Sequence, residues 1–235
     1  MDSRQFLFDD SGSRRGFLRA LGVVGLGVMT SWSAHAQPNP IVVPTNASSR
    51  LLTFTGGEAG NWSITDTRRI AGDPWTPAEK LNVINAAVSD MGGAKWLLRG
   101  VISNERYVTR AHKNELVDRQ EGLGRPDAVY AALIPIRKNA AWWALTQDER
   151  RAVFEEQSHH TAIGLKYLPA IARRLHHCRD LGTEEPFDFL TWFEFSRPNA
   201  DAFDRLLTDL RAAKEWTYVE TRNRDSSRAR RRLML

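Results

Sequence analysis

The sequence predicts an α+β fold in which antiparallel sheets are covered by helices on one side. Stretches of alternating apolar residues occur in two sets along the chain, and helix-start signals stand between the strands of each set. No glycine-rich phosphate loop follows any of these strands. Strands and helices interleaved in two similar sets indicate a duplicated α+β sandwich.

The first set contains three predicted strands, at residues 50–55, 62–70 and 95–102, and two predicted helices, at residues 76–91 and 109–120. The earlier helix begins with Thr76, Pro77 and Glu79. Thr is a preferred N-cap, Pro suits the first turn, and Glu three residues after the cap completes a capping box. Gly92 and Gly93 are expected to end this helix.

The second set contains strands at residues 131–137, 187–195 and 215–221, a helix that begins at Thr146 and carries histidines, and a helix at residues 199–213. Pro135 cannot donate to a sheet ladder, so the first of these strands is expected to lie at an edge or to contain a bulge. Thr146 and Glu149 form a second capping box. The last helix places five apolar residues on one stripe: Ala202, Phe203, Leu206, Leu207 and Leu210.

The N-terminus has the features of an export signal. Arg14 and Arg15 precede a short apolar run that ends in Ala34-His35-Ala36, a small-residue cleavage site. The paired arginines predict the twin-arginine route, which exports folded proteins, and thus a periplasmic location. About 14 apolar residues are too few for the roughly 20 of a membrane span, so no membrane attachment is expected after cleavage.

Charge and cysteine content exclude several classes of protein. Six arginines and one aspartate lie in residues 222–235, and residues 37–221 are close to neutral, with 23 basic and 24 acidic side chains. A nucleic-acid-binding protein would need a basic face within residues 37–221, so the near-neutral charge of this part argues against nucleic-acid binding. Cys178 is the only cysteine, so we expect no internal disulfide and a buried, inert thiol.

Four of the six histidines lie in the stretch 155–178: His159, His160, His176 and His177. On a continuous helix from Thr146, His160 falls on the apolar side and His159 on the polar side. A lone histidine on an apolar face is more often a core residue than a ligand. No carboxylate or thiolate set completes a zinc site, and Gly164 and Pro169 interrupt the segment between the two doublets. His160 and Arg173 can share one site only if the chain bends between them.

The stretch "HTAIGLKYLPAIARRLHH", followed by "DFLTWFEF" and "LRAAKEWTYVE", closely resembles the chlorite dismutase family of haem b proteins. Upstream, "RGVISNERYVTR", "LGRP" and "IRKNAAWWALTQDERRAVFEEQS" resemble the shorter branch of that family. The resemblance covers about residues 50–221 and involves several motifs in the same order.

The resemblance implies roles for six residues. His160 would be the axial ligand of the haem iron, Arg173 the distal arginine, and Glu215 the partner of the ligand's other nitrogen. Tyr107 and Lys138 would meet the haem propionates, and Trp142 would lie at the haem rim. His159, His176 and His177 would have surface or secondary roles.

The resemblance also implies the fold and the organisation of the chain. Two ferredoxin-like units would form a dimeric α+β barrel, in a homo-oligomer that is a dimer or a pentamer. The expected segments are an export signal (1–36), a linker (37–49), an N-terminal unit (50–128), a C-terminal haem-binding unit (129–221) and a basic tail (222–235).

The implied activity is conversion of chlorite to chloride and dioxygen through an iron-oxo intermediate, with haem b as cofactor. One alternative is coprohaem decarboxylation, but those relatives carry glutamine where Arg173 stands, and haem synthesis belongs in the cytoplasm. A second is peroxidase-like electron transfer through Trp142, Trp143 and Trp192. A third is a haem-binding protein with little turnover.

Overall fold

The computed structural model describes residues 42–43, 50–68, 70, 76–88, 92–103, 105–182 and 185–220. The expected export signal, nearly all of the linker and the basic tail lie outside the described residues. None of the helices within the described ranges is long and apolar enough to cross a membrane.

The structure is an antiparallel sheet with helices, which confirms the predicted α+β class. The strands are β1 (Val42–Val43), β2 (Leu51–Gly57), β3 (Trp62–Ser63), β4 (Lys80–Ile84), β5 (Ala87–Val88), β6 (Trp96–Ile102), β7 (Tyr130–Ile136), β8 (Ile171–His177) and β9 (Phe189–Phe195). Seven of them form one sheet in the order β3-β4-β2-β6-β8-β9-β7, and β1 pairs with β5. Every pairing is antiparallel.

The helices are α1 (Arg110–Arg119), α2 (Ala140–Ala144), α3 (Gln147–Arg151), α4 (His160–Leu165) and α5 (Ala200–Ala212). A π turn (Ala152–Gln157) follows α3, and a 3₁₀ segment (Lys214–Tyr218) follows α5. The C-terminal half therefore has a β-α-β-β-α succession. Pairing of two such units into a barrel stays a prediction.

Strand β9 is buried on both faces because it separates two cores. Leu190 and Trp192 belong to a cluster with Phe54 and Leu98, on strands β2 and β6. Phe193 and Phe195 belong to a second cluster, to which α5 contributes Phe203 and Leu206 and α4 contributes Ile163. The strict alternation of a strand sends successive side chains into the two clusters.

The predicted helix at residues 76–91 is wrong for its described part. Residues Lys80–Ile84 form β4, which pairs with both β2 and β3, and Leu81 is buried in the first cluster. A capping box contributes about 1 kcal/mol. Hydrogen bonding of β4 to a strand on each side, together with the β-branched residues Val83 and Ile84, outweighs that local helix signal.

Two predicted strands are also shorter or absent. Of the described residues between positions 62 and 70, only Trp62–Ser63 form a strand. Residues 215–221 were expected to form a strand, but Lys214–Tyr218 is a 3₁₀ segment, and in the part of this segment that the structure describes, up to residue 220, only Val219 bridges to Lys138. The backbone N–H of Glu215 donates to Ser158 Oγ at 2.8 Å, so it is directed away from a sheet partner.

The other predicted strands and the helices predicted at residues 109–120 and 199–213 are confirmed with shifts of one or two residues at their ends, whereas β8, which carries His176 and His177, was not predicted. Strand β7, which contains Pro135, lies at the edge of the sheet as expected. Thr146 forms the predicted capping box with Glu149 at the start of α3.

Cys178 is a buried free thiol, as predicted. Burial raises its pKa to about 12, which makes thiolate chemistry unfavourable at neutral pH.

Candidate active site

His160 is the first residue of α4 and follows an interruption of the helix. The helix begun at Thr146 widens into the π turn, and His159 then adopts left-handed backbone angles, with φ 50° and ψ 36°. The imidazole Nδ1 of His160 lies 2.7 Å from Glu215 Oε2. The Phe154 ring stacks on the imidazole at a centroid distance of 4.1 Å. Within the described part of the chain, the other ring nitrogen, Nε2, has no hydrogen-bond partner.

Glu215 joins His160 to Lys138. The Nζ of Lys138 donates to Glu215 Oε1 at 2.7 Å, so one carboxylate oxygen faces each partner. Burial alone would raise the pKa of Glu215, but the charges and hydrogen bonds of His160 and Lys138 outweigh it and lower the pKa to about 2. Glu215 is therefore an anion at neutral pH and accepts the Nδ1 proton of His160.

Lys138 is held in place from two sides. Its backbone N–H donates to Asp188 Oδ2 at 2.7 Å, and Asp188 Oδ1 accepts from Arg179 Nη1 at 3.2 Å. Its ammonium lies 4.6 Å from the centre of the Trp142 ring, within range of a cation–π interaction. Lys138 is almost fully buried, so its charge is directed to Glu215 rather than to solvent.

Arg173 lies on β8 and reaches α4. A Cβ added at Gly164 would overlap the guanidinium of Arg173. Because Gly164 stands four residues after His160, the guanidinium packs beside the same face of α4 that carries the imidazole. No hydrogen bond or ion pair involves this guanidinium among the described residues. Desolvation lowers the pKa of Arg173 to about 10, so the group keeps its positive charge at neutral pH.

The strand face beside Arg173 is apolar and open. Strand alternation places Leu175 two residues along β8 on the same face as Arg173, and Leu175 is 44% exposed. Its partners across the sheet are Thr191 on β9 and then Ile134 on β7. An unpaired cation, a free imidazole nitrogen and exposed apolar surface thus occur together around α4 and β8.

Tyr107 and Trp142 are part of an aromatic group next to His160. Tyr107 has a left-handed φ of 70°, and its ring lies 5.6 Å from Phe154 and 6.4 Å from Trp142. Trp142 is buried and also contacts Tyr218. The structure therefore brings Tyr107, Lys138, Trp142, His160 and Glu215 into one cluster. Their contacts with haem stay predictions.

The remaining histidines of the stretch 155–178 have three different surroundings. His159 is exposed. His176 is fully buried at the junction of β6 and β8, where it contacts Phe54 at 5.3 Å and Leu190 O at 3.2 Å. His177 is half-buried and packs edge-on against Phe189. No hydrogen bond within the described ranges joins any of the three to His160, Glu215 or Arg173.

The assumption of one continuous helix from Thr146 to the histidines is wrong. On such a helix Glu155 would lie on the polar side with His159, but Glu155 is buried. The π turn adds a residue to one turn, and the left-handed residue His159 then redirects the chain. Periodicity cannot reveal such an interruption, because both features depend on contacts made by the folded chain.

Several residues of the site were missed from the sequence. Ser158, Asp188, Phe154 and Leu175 carry no motif that distinguishes them from ordinary surface or core residues. Gly164 offered a signal, because a glycine four residues after a candidate ligand leaves room on the ligand's own helix face. Among the described residues, no group of three or more His, Cys, Asp or Glu could hold a metal ion.

Comparison with known proteins identifies the family. A family model described as chlorite dismutase matches residues 78–224. A crystal structure of a dimeric chlorite dismutase from Nitrobacter winogradskyi is 54% identical, covering 72% of this chain and 95% of that one, with a TM-score of 0.67. A chlorite dismutase from Candidatus Nitrospira defluvii in complex with imidazole is 34% identical, covering 55% and 50% of the two chains, with a TM-score of 0.45.

A curated relative, the chlorite dismutase of Ideonella dechloratans, is 35% identical over 89 residues, which are 38% of this chain and 28% of that protein. The match thus spans little more than a quarter of that relative's length. The family model covers well over half of this chain. The fold and the site define a member of the chlorite dismutase family, and the chain belongs to that family.

Proposed function

We propose that this protein binds haem b through His160 and converts chlorite into chloride and dioxygen. The observation that carries the proposal is the pair formed by Arg173 and His160. Among the described residues, a half-buried cation without a protein partner packs one helical turn from an imidazole whose Nε2 makes no hydrogen bond. The first would bind an anion and the second a metal.

The residues present fit a haem better than a bare ion. Among the described residues, no group of three or more His, Cys, Asp or Glu surrounds His160 as a metal site, whereas a protein-bound ion such as zinc takes three or four ligands. The exposed apolar side chain of Leu175 on the strand face beside Arg173 suits a flat apolar macrocycle. When bound, the haem would supply the iron at which a Cl–O bond is broken and the O–O bond is made.

His160, Glu215 and Lys138 would set the electronic character of the axial ligand. Ionised Glu215 accepts the Nδ1 proton, which fixes the tautomer and leaves the lone pair on Nε2. The negative charge also makes the imidazole a stronger donor, which favours oxidised iron. Lys138 donates a second hydrogen bond to Glu215, and its charge adds to that of His160 in keeping the half-buried carboxylate ionised.

Arg173 would hold the substrate and the chlorine-containing fragment in one site. Chlorite carries a negative charge, and the fragment that remains after loss of one oxygen atom is also an anion when deprotonated. A guanidinium with several donors and a permanent charge binds both. Overall, chlorine gains the four electrons that the two oxygen atoms lose, so the reaction needs no external reductant or proton. Retention of the fragment is therefore the task left to the protein.

Substitution of the ligand tests the cofactor assignment. Haem-loaded protein should contain one haem per chain, with the absorption spectrum of ferric haem bound to one histidine. His160→Ala should lose that spectrum, whereas His159→Ala, at the exposed neighbouring position, should keep it. A retained spectrum in His160→Ala would remove this residue as the ligand. Chlorite added to the loaded wild-type protein should release one dioxygen per chlorite.

The proposal extends to assembly and location. The Nitrobacter relative is a dimeric chlorite dismutase, which supports a homodimer for this chain, with a pentamer as the alternative. Arg14 and Arg15 and the small residues Ala34 and Ala36 support export by the twin-arginine route into the periplasm.

A further inference from the structure

We propose that Glu155 is a positioning residue for the haem ligand. Its buried carboxylate holds the start of α4 from across the helix interruption and thereby orients His160. The inference rests on the proposed haem ligation by His160 and assigns a role to a residue outside the His160–Glu215–Lys138 group.

The interruption creates contacts that a regular helix does not make. Phe154 stacks on His160 and Glu155 accepts a hydrogen bond from Thr161 Oγ1, and each contact spans six residues. On an α-helix, neighbours on one face are three or four residues apart. The π turn Ala152–Gln157 and the left-handed residue His159 together bring these side chains next to the first turn of α4.

The backbone alone only weakly fixes the junction between the π turn Ala152–Gln157 and α4. A left-handed conformation costs a residue other than glycine roughly 1–2 kcal/mol, and His159 has no glycine-like freedom. The backbone hydrogen bonds at the junction run from Ser158 N–H and His159 N–H to Glu155 O, the second at 3.1 Å, and from Ile163 N–H to His159 O at 2.8 Å. Side-chain contacts must supply the remaining constraint on the direction of α4.

Glu155 is suited to that task because it is buried and connects three elements. Its side chain is 6% exposed. It accepts from Thr161 of α4, and its Oε2 lies 3.5 Å from His112 Nδ1 of α1. A buried carboxylate costs several kcal/mol unless it is hydrogen-bonded, so the structure disfavours any arrangement that separates it from these partners.

The same junction also holds Glu215, the hydrogen-bond partner of His160. Ser158, in the break itself, accepts from the Glu215 backbone N–H at 2.8 Å. Loss of the Glu155–Thr161 bond would free the first turn of α4 to rotate about His159. The imidazole would then tilt relative to Glu215, and its bond to iron would weaken. The effect should appear in the ligand's own spectroscopic signature and not only in stability.

The test uses haem-loaded full-length protein with the substitutions Glu155→Ala, Glu155→Gln and Thr161→Val. The iron–histidine stretching band of the ferrous form and the rate of haem transfer to apomyoglobin are measured. Glu155→Ala and Thr161→Val should shift or broaden the band and accelerate haem loss about tenfold, as expected for partners of a metal ligand. Glu155→Gln keeps an oxygen acceptor for Thr161 and should stay close to wild type in both measurements.

Glu156→Gln is the matched control. Glu156 belongs to the same π turn but is exposed and pairs with Arg151 at 2.7 Å, so its substitution should change neither measurement. A wild-type band and haem-transfer rate in both Glu155→Ala and Thr161→Val would overturn the inference. If Glu155→Ala does not fold, Thr161→Val, which removes only a hydroxyl donor, decides the outcome alone. Absence of the band from wild-type protein would instead overturn the haem ligation itself, and this inference with it.

Discussion

Arg173 and Arg174 are neighbours in sequence but have different surroundings. Alternation along β8 sends them to opposite faces of the sheet. Arg173 packs against Gly164 of the ligand helix, whereas the charge of Arg174 acts on His176 on the other face. The chemistry of a guanidinium is the same at both positions, so only placement distinguishes them.

We expect Arg173→Gln to lower the turnover of chlorite about a hundredfold, because it removes a fixed charged donor from the reacting anion. Haem should stay bound but bleach faster, since the oxidising fragment escapes more often. Arg174→Gln should leave both properties unchanged. Steady-state dioxygen release and the decay of haem absorbance measure the two effects. Equal behaviour of the two variants would remove Arg173 from the mechanism.

At this scale the sequence predicted which histidine faces Glu215, but the family resemblance decided the matter. Helical periodicity also placed His160 on the inner side, although the continuous helix it assumed does not exist. Lys138, expected beside a haem propionate, is engaged with Glu215 at 2.7 Å. No sequence pattern indicates that bond, because the two residues are 77 positions apart.

At the scale of elements, the contact between α4 and β8 sets the position of Arg173. We expect Gly164→Ala to displace the guanidinium, because the added methyl group would occupy its place. Turnover should fall by about tenfold to a hundredfold, as a small displacement of a catalytic group can cause, while haem stays bound. Gly122→Ala, where an added Cβ meets no atom within 4 Å, is the control. Full activity of Gly164→Ala would show that this contact does not position Arg173.

His176, at the junction of β6 and β8, should make the free energy of unfolding fall at acidic pH. His176 is buried there, and burial, with the nearby charges of Arg174 and His177, lowers its pKa to about 4 from an ordinary 6.5. The unfolded chain therefore binds a proton that the folded chain excludes. Stability is complete above pH 6.5 and falls as the pH drops toward 4, by roughly 3 kcal/mol in total.

His176→Asn should remove that part of the pH dependence, since its amide can replace Nδ1–H as donor to Leu190 O but does not titrate. Urea unfolding at several pH values between 7 and 4 gives the free energy of unfolding for each variant. His159→Asn, at an exposed histidine, should keep the wild-type dependence. An unchanged dependence in His176→Asn would show that His176 does not cause it.

Comparison of the predicted and observed elements shows which sequence signals are enough to predict a strand or a helix. Strand β9 and helix α5 were predicted because their apolar patterns extend over many residues and match the two cores. The helix expected at residue 76 rested on a capping box alone, and tertiary pairing with β2 and β3 overrode it. The segment after α5 forms a 3₁₀ turn because Glu215 is held by Ser158, His160 and Lys138. Such long-range contacts have no local signature.

At the scale of the whole molecule, the predicted export signal has a direct test. Protein recovered from the periplasm should begin at Gln37, as mass spectrometry of the intact chain would show. Arg14→Lys combined with Arg15→Lys should leave uncleaved precursor in the cytoplasm, because the twin-arginine route requires the paired arginines. Arg222→Lys with Arg224→Lys, in the basic tail, should be exported normally. Normal export of the Arg14 and Arg15 variant would refute the assigned route.

The central claim is that Arg173 keeps both products of Cl–O cleavage in one site until they recombine. Its most direct test is the isotopic composition of dioxygen released from a mixture of chlorite labelled with light oxygen and chlorite labelled with heavy oxygen. We predict dioxygen in which both atoms are light or both are heavy, with little mixed product. A statistical amount of mixed dioxygen, or no dioxygen from fully haem-loaded protein, would contradict the account.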